Sequence, residues 1–457
     1  MASLEKNKTY MIDITGMTHE GQGVGRIDGL AVFVDGLLEG EQAEIKIIKL
    51  NKSYAVGKLV NMLKSSADRV TPFCGAYKRC GGCSLQHMDY KAQLVFKTKL
   101  VRDNLERIGG LSGVPVHDAI GMASPLNYRN KAQFPVASVN GSVVTGFYAA
   151  RSHDVIESDE CGIQDVLSDR IRKIVGRFIT DKGIPAYDEK AGKGLIRHIM
   201  TRVGFNTGEV MVVLVINGSS LPHADELVKL LISMPEIKSI YLNINTKNTN
   251  VILGDKNILL YGSETITDTI GKYKFKISPH SFFQVNPVQT EVLYSKALEY
   301  AGLSGNETVF DLYCGIGTIS LFLSEKAAKV IGVEVVEAAI NDARENARIN
   351  RVTNTEFFVG EAEKVVPELY NKGICADVVV LDPPRKGCDE SLLQLLADMQ
   401  PDKIVYVSCN PSTLARDLKF LSGHGFGVIE AQPVDMFPWS GHVECIIMMT
   451  NSGLEGK

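Results

Sequence analysis

Three short runs near the N terminus read as strands, the third alternating apolar and polar residues and the second wholly apolar: Tyr10-Met11-Ile12-Asp13-Ile14, Ala31-Val32-Phe33-Val34 and Ala43-Glu44-Ile45-Lys46-Ile47-Ile48. Gly21, Gly23, Gly25, Gly29 and Gly40 punctuate them, so residues 8–62 predict a small barrel of short β-strands. Residues 63–90 read as a cysteine-bearing loop. Residues 91–110 read as one amphipathic helix, with Leu94, Leu100, Val101 and Leu105 on its apolar side before Gly109-Gly110. From about 111 to 280 strand-like runs return, including 211–216 and 239–244, which predicts an α+β segment.

After Asn286-Pro287 the period changes again, and helix and strand alternate. The pattern predicts helices over 288–301, 318–327, 336–350, 389–399 and 411–423. Strands are predicted over 307–312, 329–334, 355–359, 376–382 and 403–408, with final strands near 427–434 and 443–449. This is the signature of a doubly wound, parallel α/β sheet. The domains expected are 1–65 as a barrel, 66–280 as a central α+β unit and 281–457 as the α/β unit. The helix over 91–110 belongs to the second and is long enough to pack on the third.

The chain has 457 residues, 45% hydrophobic and 22% charged, enough for two or three domains. It has no apolar stretch of membrane-spanning length, and residues 1–8 lack the apolar core of a signal peptide, so a cytoplasmic location is expected. Nine cysteines in such a chain point to metal binding or catalysis rather than a disulfide framework. The net charge of −4 hides an uneven distribution: residues 71–135 hold nine Lys or Arg against four acids. A phosphate-facing surface and a solvated helix face fit that excess equally well. Lys46, Lys49, Lys52 and Lys58 on the late barrel strands suit single-stranded nucleic acid or a protected strand edge.

Three strand ends carry chemistry. Asp311-Leu312-Tyr313-Cys314-Gly315-Ile316-Gly317 follows a strand and opens a helix, so backbone can approach a ligand where side chains would block it. A third glycine for a pyrophosphate is missing, since Ser320 stands at that place. Glu334 ends the next strand, where a carboxylate can accept from both ribose hydroxyls. A ribose without a pyrophosphate fits S-adenosylmethionine better than a dinucleotide. Asp382-Pro383-Pro384-Arg385 ends a second strand with a rigid wall. Ser408-Cys409-Asn410-Pro411 ends a third and places a thiol at the mouth of the sheet, where open α/β sheets bind ligands. Cys74-x5-Cys80-x2-Cys83 forms a separate Gly-rich loop that suits zinc or an iron–sulfur cluster.

Together with Phe282-Phe283-Gln284-Val285-Asn286 and Gly441-His442-Val443-Glu444, these motifs resemble the S-adenosylmethionine-dependent RNA uracil-5-methyltransferases. The resemblance covers nearly the whole chain: a TRAM-like, OB-like barrel, a central domain with a four-cysteine site, and a class I methyltransferase fold. It implies Cys409 as the nucleophile that adds to carbon 6 of uracil, and Glu444 as the general base that removes the carbon 5 proton. Gln284, Tyr313, Gly315, Gly317, Glu334 and Asp382 would contact the cofactor. Phe282, Asp382, Arg129 and Lys131 would contact RNA, with Phe282 stacking on the extruded base. Cys74, Cys80, Cys83 and Cys161 would hold a [4Fe-4S] cluster. Barrel and cysteines together point to the branch acting on 23S ribosomal RNA, with a monomer as the default. The tRNA T-loop branch, an exocyclic amino-methyltransferase and a non-catalytic RNA-binding assembly factor are the alternatives. Arg197-His198 adds a cation that suits RNA or a buried ion pair, and Cys314, Cys375, Cys388 and Cys445 read as small core residues.

Overall fold

The computed structural model describes residues 4–452; the tail at 453–457, expected to be mobile, lies outside them. Five strands, β1 (Thr9–Met17), β2 (Gly23–Ile27), β3 (Leu30–Val34), β4 (Gln42–Leu50) and β5 (Tyr54–Lys64), close into a barrel in the order β1-β2-β3-β5-β4. Their alternation turns Ile12, Ile14, Val32, Val34, Ala43, Ile45 and Ile47 inward as one core. Glu41, fully buried, receives the Arg69 guanidinium through two bonds of 2.6 and 2.7 Å, which ties the barrel to the segment leading into the cysteine loop.

Helix α1 (Tyr90–Asn104) starts on Asp89, whose side chain accepts from the Lys91 amide, and runs into one π-helical turn at Leu105–Gly109. Its buried face differs from the apolar side read in the sequence. Gln93, Lys97, Thr98 and Val101 are buried, while Leu94 and Leu100 are half-exposed. Val101 and Leu105 share a core with Leu414 and Leu418 of the C-terminal domain.

The central domain is a seven-stranded sheet built from β6 (Lys131–Val139), β7 (Ser142–Tyr148), β8 (Val155–Glu157), β9 (Ile196–Val203), β10 (Val210–Ile216), β11 (Ile237–Ile244) and β12 (Lys256–Gly262). The order is β12-β11-β10-β9-β6-β7-β8. Helices α2 (Val166–Asp181) and α3 (Ala224–Leu231) cover one face. On the other, Met200, Met211, Val213 and Tyr241 enter the main core of the C-terminal domain. Burial on both faces explains why β10 reads as an unbroken apolar run. A short hairpin, β13 (Ile266–Ile270) and β14 (Tyr273–Ile277), leads into the last domain.

There, α4 (Pro287–Ala301) begins on Asn286, with Pro287 at the position where a missing amide costs nothing. It is followed by β15 (Thr308–Leu312), α5 (Thr318–Leu323), β16 (Lys329–Glu334), α6 (Glu337–Ile349), β17 (Thr355–Val359), α7 (Ala362–Asn371), β18 (Val378–Leu381), α8 (Glu390–Met399), β19 (Lys403–Ser408), α9 (Pro411–Ser422), β20 (Phe426–Val434) and β21 (Glu444–Asn451). The sheet order is β17-β16-β15-β18-β19-β21-β20, and the order reverses between β15 and β18, which opens a crevice at their C-terminal ends.

Two features depart from the sequence pattern. Helix α7 lies outside the predicted elements and carries Pro367 inside it, yet Ala362, Val366 and Leu369 are buried and hold it to the sheet. The sheet is also not wholly parallel: β21 runs against both β19 and β20. An inverted strand begins at the edge where parallel strands end. Its first residue, Glu444, is therefore delivered to the crevice.

Candidate active site

The loop after β15 reverses sharply, with Tyr313, Gly315 and Gly317 at φ of 71°, 55° and 79°. Gly317 starts α5 in the left-handed region, which favours glycine, and a Cβ there would press on the Phe357 ring at 3.1 Å. Around Gly315 the space is open. Asp311, fully buried at the end of β15, accepts a 2.5 Å bond from Ser320 Oγ through Oδ2, and its Oδ1 has no partner. Burial pushes its carboxyl up to about 7. A buried carboxylate oxygen left open beside an uncovered glycine turn is a cradle for a hydrogen-bonding ligand. Glu334 lies half-exposed at the end of the adjacent β16, one oxygen accepting from the Val336 amide at 3.0 Å. This donor set fits a ribose-bearing cofactor.

Tyr313 packs against the core that contains Cys388, and burial raises its hydroxyl. Phe282 and Phe283 part company: Phe283 is buried, while Phe282 is 70% exposed and so lies outside any domain interface. Gln284, half-buried, is fixed through its carbonyl, which accepts from Asn130 Nδ2 at 3.0 Å.

Cys409 follows the last residue of β19. Asn410 organises its loop: Oδ1 caps α9 by accepting from the Ser412 amide, and Nδ2 donates to the Arg385 carbonyl at 3.0 Å. That bond joins the Cys409 loop to the Asp382–Arg385 wall. Sequence reasoning singled out Cys409 but not Asn410 as its positioner, although Asn-Pro before a helix is a readable cap signal.

Three acidic groups and one cation share this space. Burial raises Cys409 to about 11, with Glu444 and Asp382 adding to the shift and Arg385 opposing it. Burial raises Glu444 to about 8, again with Asp382 adding and Arg385 opposing. Asp382 rises to about 7 through burial and the charge of Asp311. Such mutual shifts require proximity, so the three strand ends converge on one site. At neutral pH the resting site holds a proton on Cys409 and largely on Glu444. Asp311 and Arg385 belong to it as well, and their positions at strand ends were the available signals.

Cys74, Cys80, Cys83 and Cys161 line a different cavity, of about 350 Å³, together with Arg129 and Lys131. Burial, reinforced by the neighbouring cysteines, raises Cys80, Cys83 (to about 12) and Cys161 (to about 11). Among the described residues no group of three or more ligating side chains is arranged to hold a single metal ion. Lys131 stands opposite Arg202 across the β6–β9 ladder, and the Arg129 amide donates to the Ile163 carbonyl two residues past Cys161. Arg197 is buried and donates to the carbonyls of Asn245, Lys247 and Thr249, stacked over Tyr187, so it braces a loop. Cys314, Cys388 and Cys445 are buried as read, whereas Cys375 is exposed. No helix of the described residues is long and apolar enough to cross a membrane.

Comparison with known proteins accords with this geometry. Residues 244–452 match the model of the tRNA (Uracil-5-)-methyltransferase family, and residues 4–60 match the TRAM domain. The chain is 54% identical over 455 residues to an uncharacterised RNA methyltransferase of Clostridium tetani, covering 99% of each chain. It is 51% identical over 449 residues to another from Halalkalibacterium halodurans, covering 98% of each. Among solved structures, the Pyrococcus abyssi tRNA (uracil-54, C5)-methyltransferase in complex with S-adenosyl-L-homocysteine superposes with a TM-score of 0.78 at 28% identity, covering 96% of this chain and 100% of that one. The chain therefore belongs to the S-adenosylmethionine-dependent RNA uracil-5-methyltransferase family and carries an N-terminal TRAM domain.

Proposed function

We propose that the chain methylates carbon 5 of one or more uridines in 23S ribosomal RNA through a covalent bond between Cys409 and carbon 6. The observation carrying this reading is the convergence of a strand-end thiol and a buried carboxyl at the sheet edge where Asp311 keeps a buried oxygen without a partner. S-adenosylmethionine supplies an electrophilic methyl group. Gln284, Tyr313, Gly315, Gly317, Glu334 and Asp382 hold it, with Asp382 also facing the uracil. The Cys409 thiol gives its proton to solvent water and adds as the thiolate to carbon 6, which moves to carbon 5 the electron density that a free uracil lacks there. After methylation Glu444 takes the carbon 5 proton, the ring double bond re-forms and the thiolate leaves. Phe282, exposed and unpartnered by the core, stacks on the extruded base.

Residues 1–65 and 66–280 form the RNA-binding units and 281–457 the catalytic one. Arg129 and Lys131 contribute cations toward RNA from the rim of the cysteine cavity. The four thiols of Cys74, Cys80, Cys83 and Cys161 line one space, and the family resemblance favours a [4Fe-4S] cluster over zinc there. The enzyme acts in the cytoplasm as a monomer. The ribosomal assignment rests on the pairing of barrel and cysteines, set against a structural relative that acts on tRNA. Mapping 5-methyluridine in ribosomal and transfer RNA from a deletion strain decides it: a loss confined to tRNA overturns the ribosomal reading. Iron and sulfide analysis of anaerobically purified protein tests the cluster, and stoichiometric zinc overturns it.

A further inference from the structure

Nine residues, 435–443, connect β20 to β21 and end at Glu444. Antiparallel neighbours are usually joined by two to five residues, so a connection of this length needs support from elsewhere. Within the catalytic domain Asn286 Nδ2 and Gln289 Nε2 donate to the Met436 and Asp435 carbonyls, and the remaining support comes from outside it. Asp435 accepts from Lys97 Nζ at 2.5 Å and Tyr90 Oη at 2.9 Å, and Lys97 also donates to the Phe437 carbonyl. Tyr128 Oη donates to the Pro438 carbonyl at 3.1 Å. The Trp439 amide donates to Gln93 Oε1, its indole Nε1 donates to the Pro125 carbonyl at 2.7 Å, and its carbonyl accepts from both the Ser84 and Leu85 amides at 3.0 Å. Ser84 and Leu85 directly follow Cys83. The Gly441 amide donates to Ser84 Oγ, and the TRAM barrel closes over the same glycine, where a Cβ would stand 2.1 Å from the His19 carbonyl oxygen.

Trp439 is the hub and the chain's single tryptophan. It adopts φ of 68°, a region a bulky side chain occupies only when its surroundings dictate it. Its ring meets Phe73, the residue before Cys74, edge-on at 5.1 Å, and Tyr90 at 5.5 Å. It packs in one small apolar cluster with Cys83 and Cys161. The segment that delivers the carboxyl is thus splinted by the segment that carries the cysteines.

We propose that Trp439 is a positioning residue for Glu444, and that the cysteine loop and TRAM barrel, by clamping the 435–443 strap, govern removal of the carbon 5 proton rather than formation of the Cys409–carbon 6 bond. This rests on the reading of Glu444 as base. In the step concerned the Glu444 carboxylate takes the proton from carbon 5, its bonding pair becomes the carbon 5–carbon 6 double bond, and the carbon 6–sulfur bond breaks to return the thiolate. A displaced carboxylate leaves the preceding addition intact and stalls the release.

The full-length protein carrying Trp439→Ala is assayed with RNA and S-adenosylmethionine for turnover and for denaturant-stable protein–RNA adduct. The expected result is a kcat lower by about a hundredfold, a KM for RNA within about threefold of the parent, and an adduct that accumulates as it does with Glu444→Gln. Trp439→Phe, which keeps the ring contacts, restores release. If Trp439→Ala does not fold, Gly441→Ala displaces the same strap against His19 and carries the same expectation. Adduct with Glu444→Gln but none with the strap variants, or unchanged kcat in them, overturns the proposal alone. No adduct with Glu444→Gln overturns the base assignment and the proposal together.

Discussion

Cys409 and Glu444 are the residues next beyond the last pair at the open end of the ladder between β19 and β21. Ser408 is paired with Cys445 in that ladder, and one further step along each antiparallel strand reaches the thiol and the carboxyl proposed to react. Neighbouring positions across an antiparallel pair lie about 4.5–5.5 Å apart, so a thiol and a carboxyl on one such step can address the two adjacent carbons of a single ring. The inverted strand makes this possible.

That pairing separates two half-reactions by mutation. With Cys409 as the proposed nucleophile, Cys409→Ala is expected to abolish methylation while RNA affinity stays within about threefold, since a nucleophile contributes to bond making and little to ground-state binding. Gel-shift and methyl-incorporation assays on the same preparation check it, and residual methylation in this variant counts against covalent catalysis.

The raised carboxyl gives a pH dependence with a definite sign. A general base acts only when deprotonated, and burial lifts Glu444 to about 8, so the proposed role predicts that kcat/KM climbs with pH from 7 through about 8. It should continue upward as the Cys409 thiol, near 11, gains thiolate character. A profile flat between pH 6 and 9 contradicts this ordering.

Stability is expected to run the opposite way. A carboxyl whose folded pKa is raised keeps its proton in the native state while the unfolded chain has already lost it, so the native state binds more protons between about 4.5 and 8. Stability falls with rising pH across that window. Melting curves from pH 5 to 8 should show a smaller decline for Glu444→Gln than for the parent.

Lys97 and Asp435 form an ion pair with no exposure on either side chain. Lys97→Met leaves a buried carboxylate with only Tyr90 and the Phe437 amide as partners, and about 3–5 kcal/mol of stability should be lost. Adding Asp435→Asn removes the stranded charge and should recover part of that loss in denaturant unfolding.

Gly317→Ala is expected to weaken S-adenosylhomocysteine binding. A Cβ at φ of 79° costs about 1–2 kcal/mol, and its contact with Phe357 shifts the turn that opens toward Asp311. Calorimetric titration against the parent reads the change directly.

The sequence by itself determined the local facts: which runs are strands, where Gly315 and Gly317 let the backbone turn, and that a thiol, a Pro-Pro wall and a terminal carboxylate each close a strand. These depend on burial period and backbone chemistry within a few residues, and both are written in the residues themselves. Tertiary structure alone decided the rest. The apolar run that marks β21 reads the same for either direction of the strand, so its inversion, which brings Glu444 to the end of the sheet where Cys409 lies, is a matter of long-range pairing. Phe282 and Phe283 are identical side chains on successive residues, and only packing exposes one and buries the other. Lys97, counted among surface cations by its composition, is buried because its partner lies 338 positions away. Arg129 and Lys131 line the cysteine cavity because β6 enters the central sheet beside the segment that follows Cys161. Contacts of this kind are set by which surfaces the whole chain must remove from water at once, and no local window of residues contains that information.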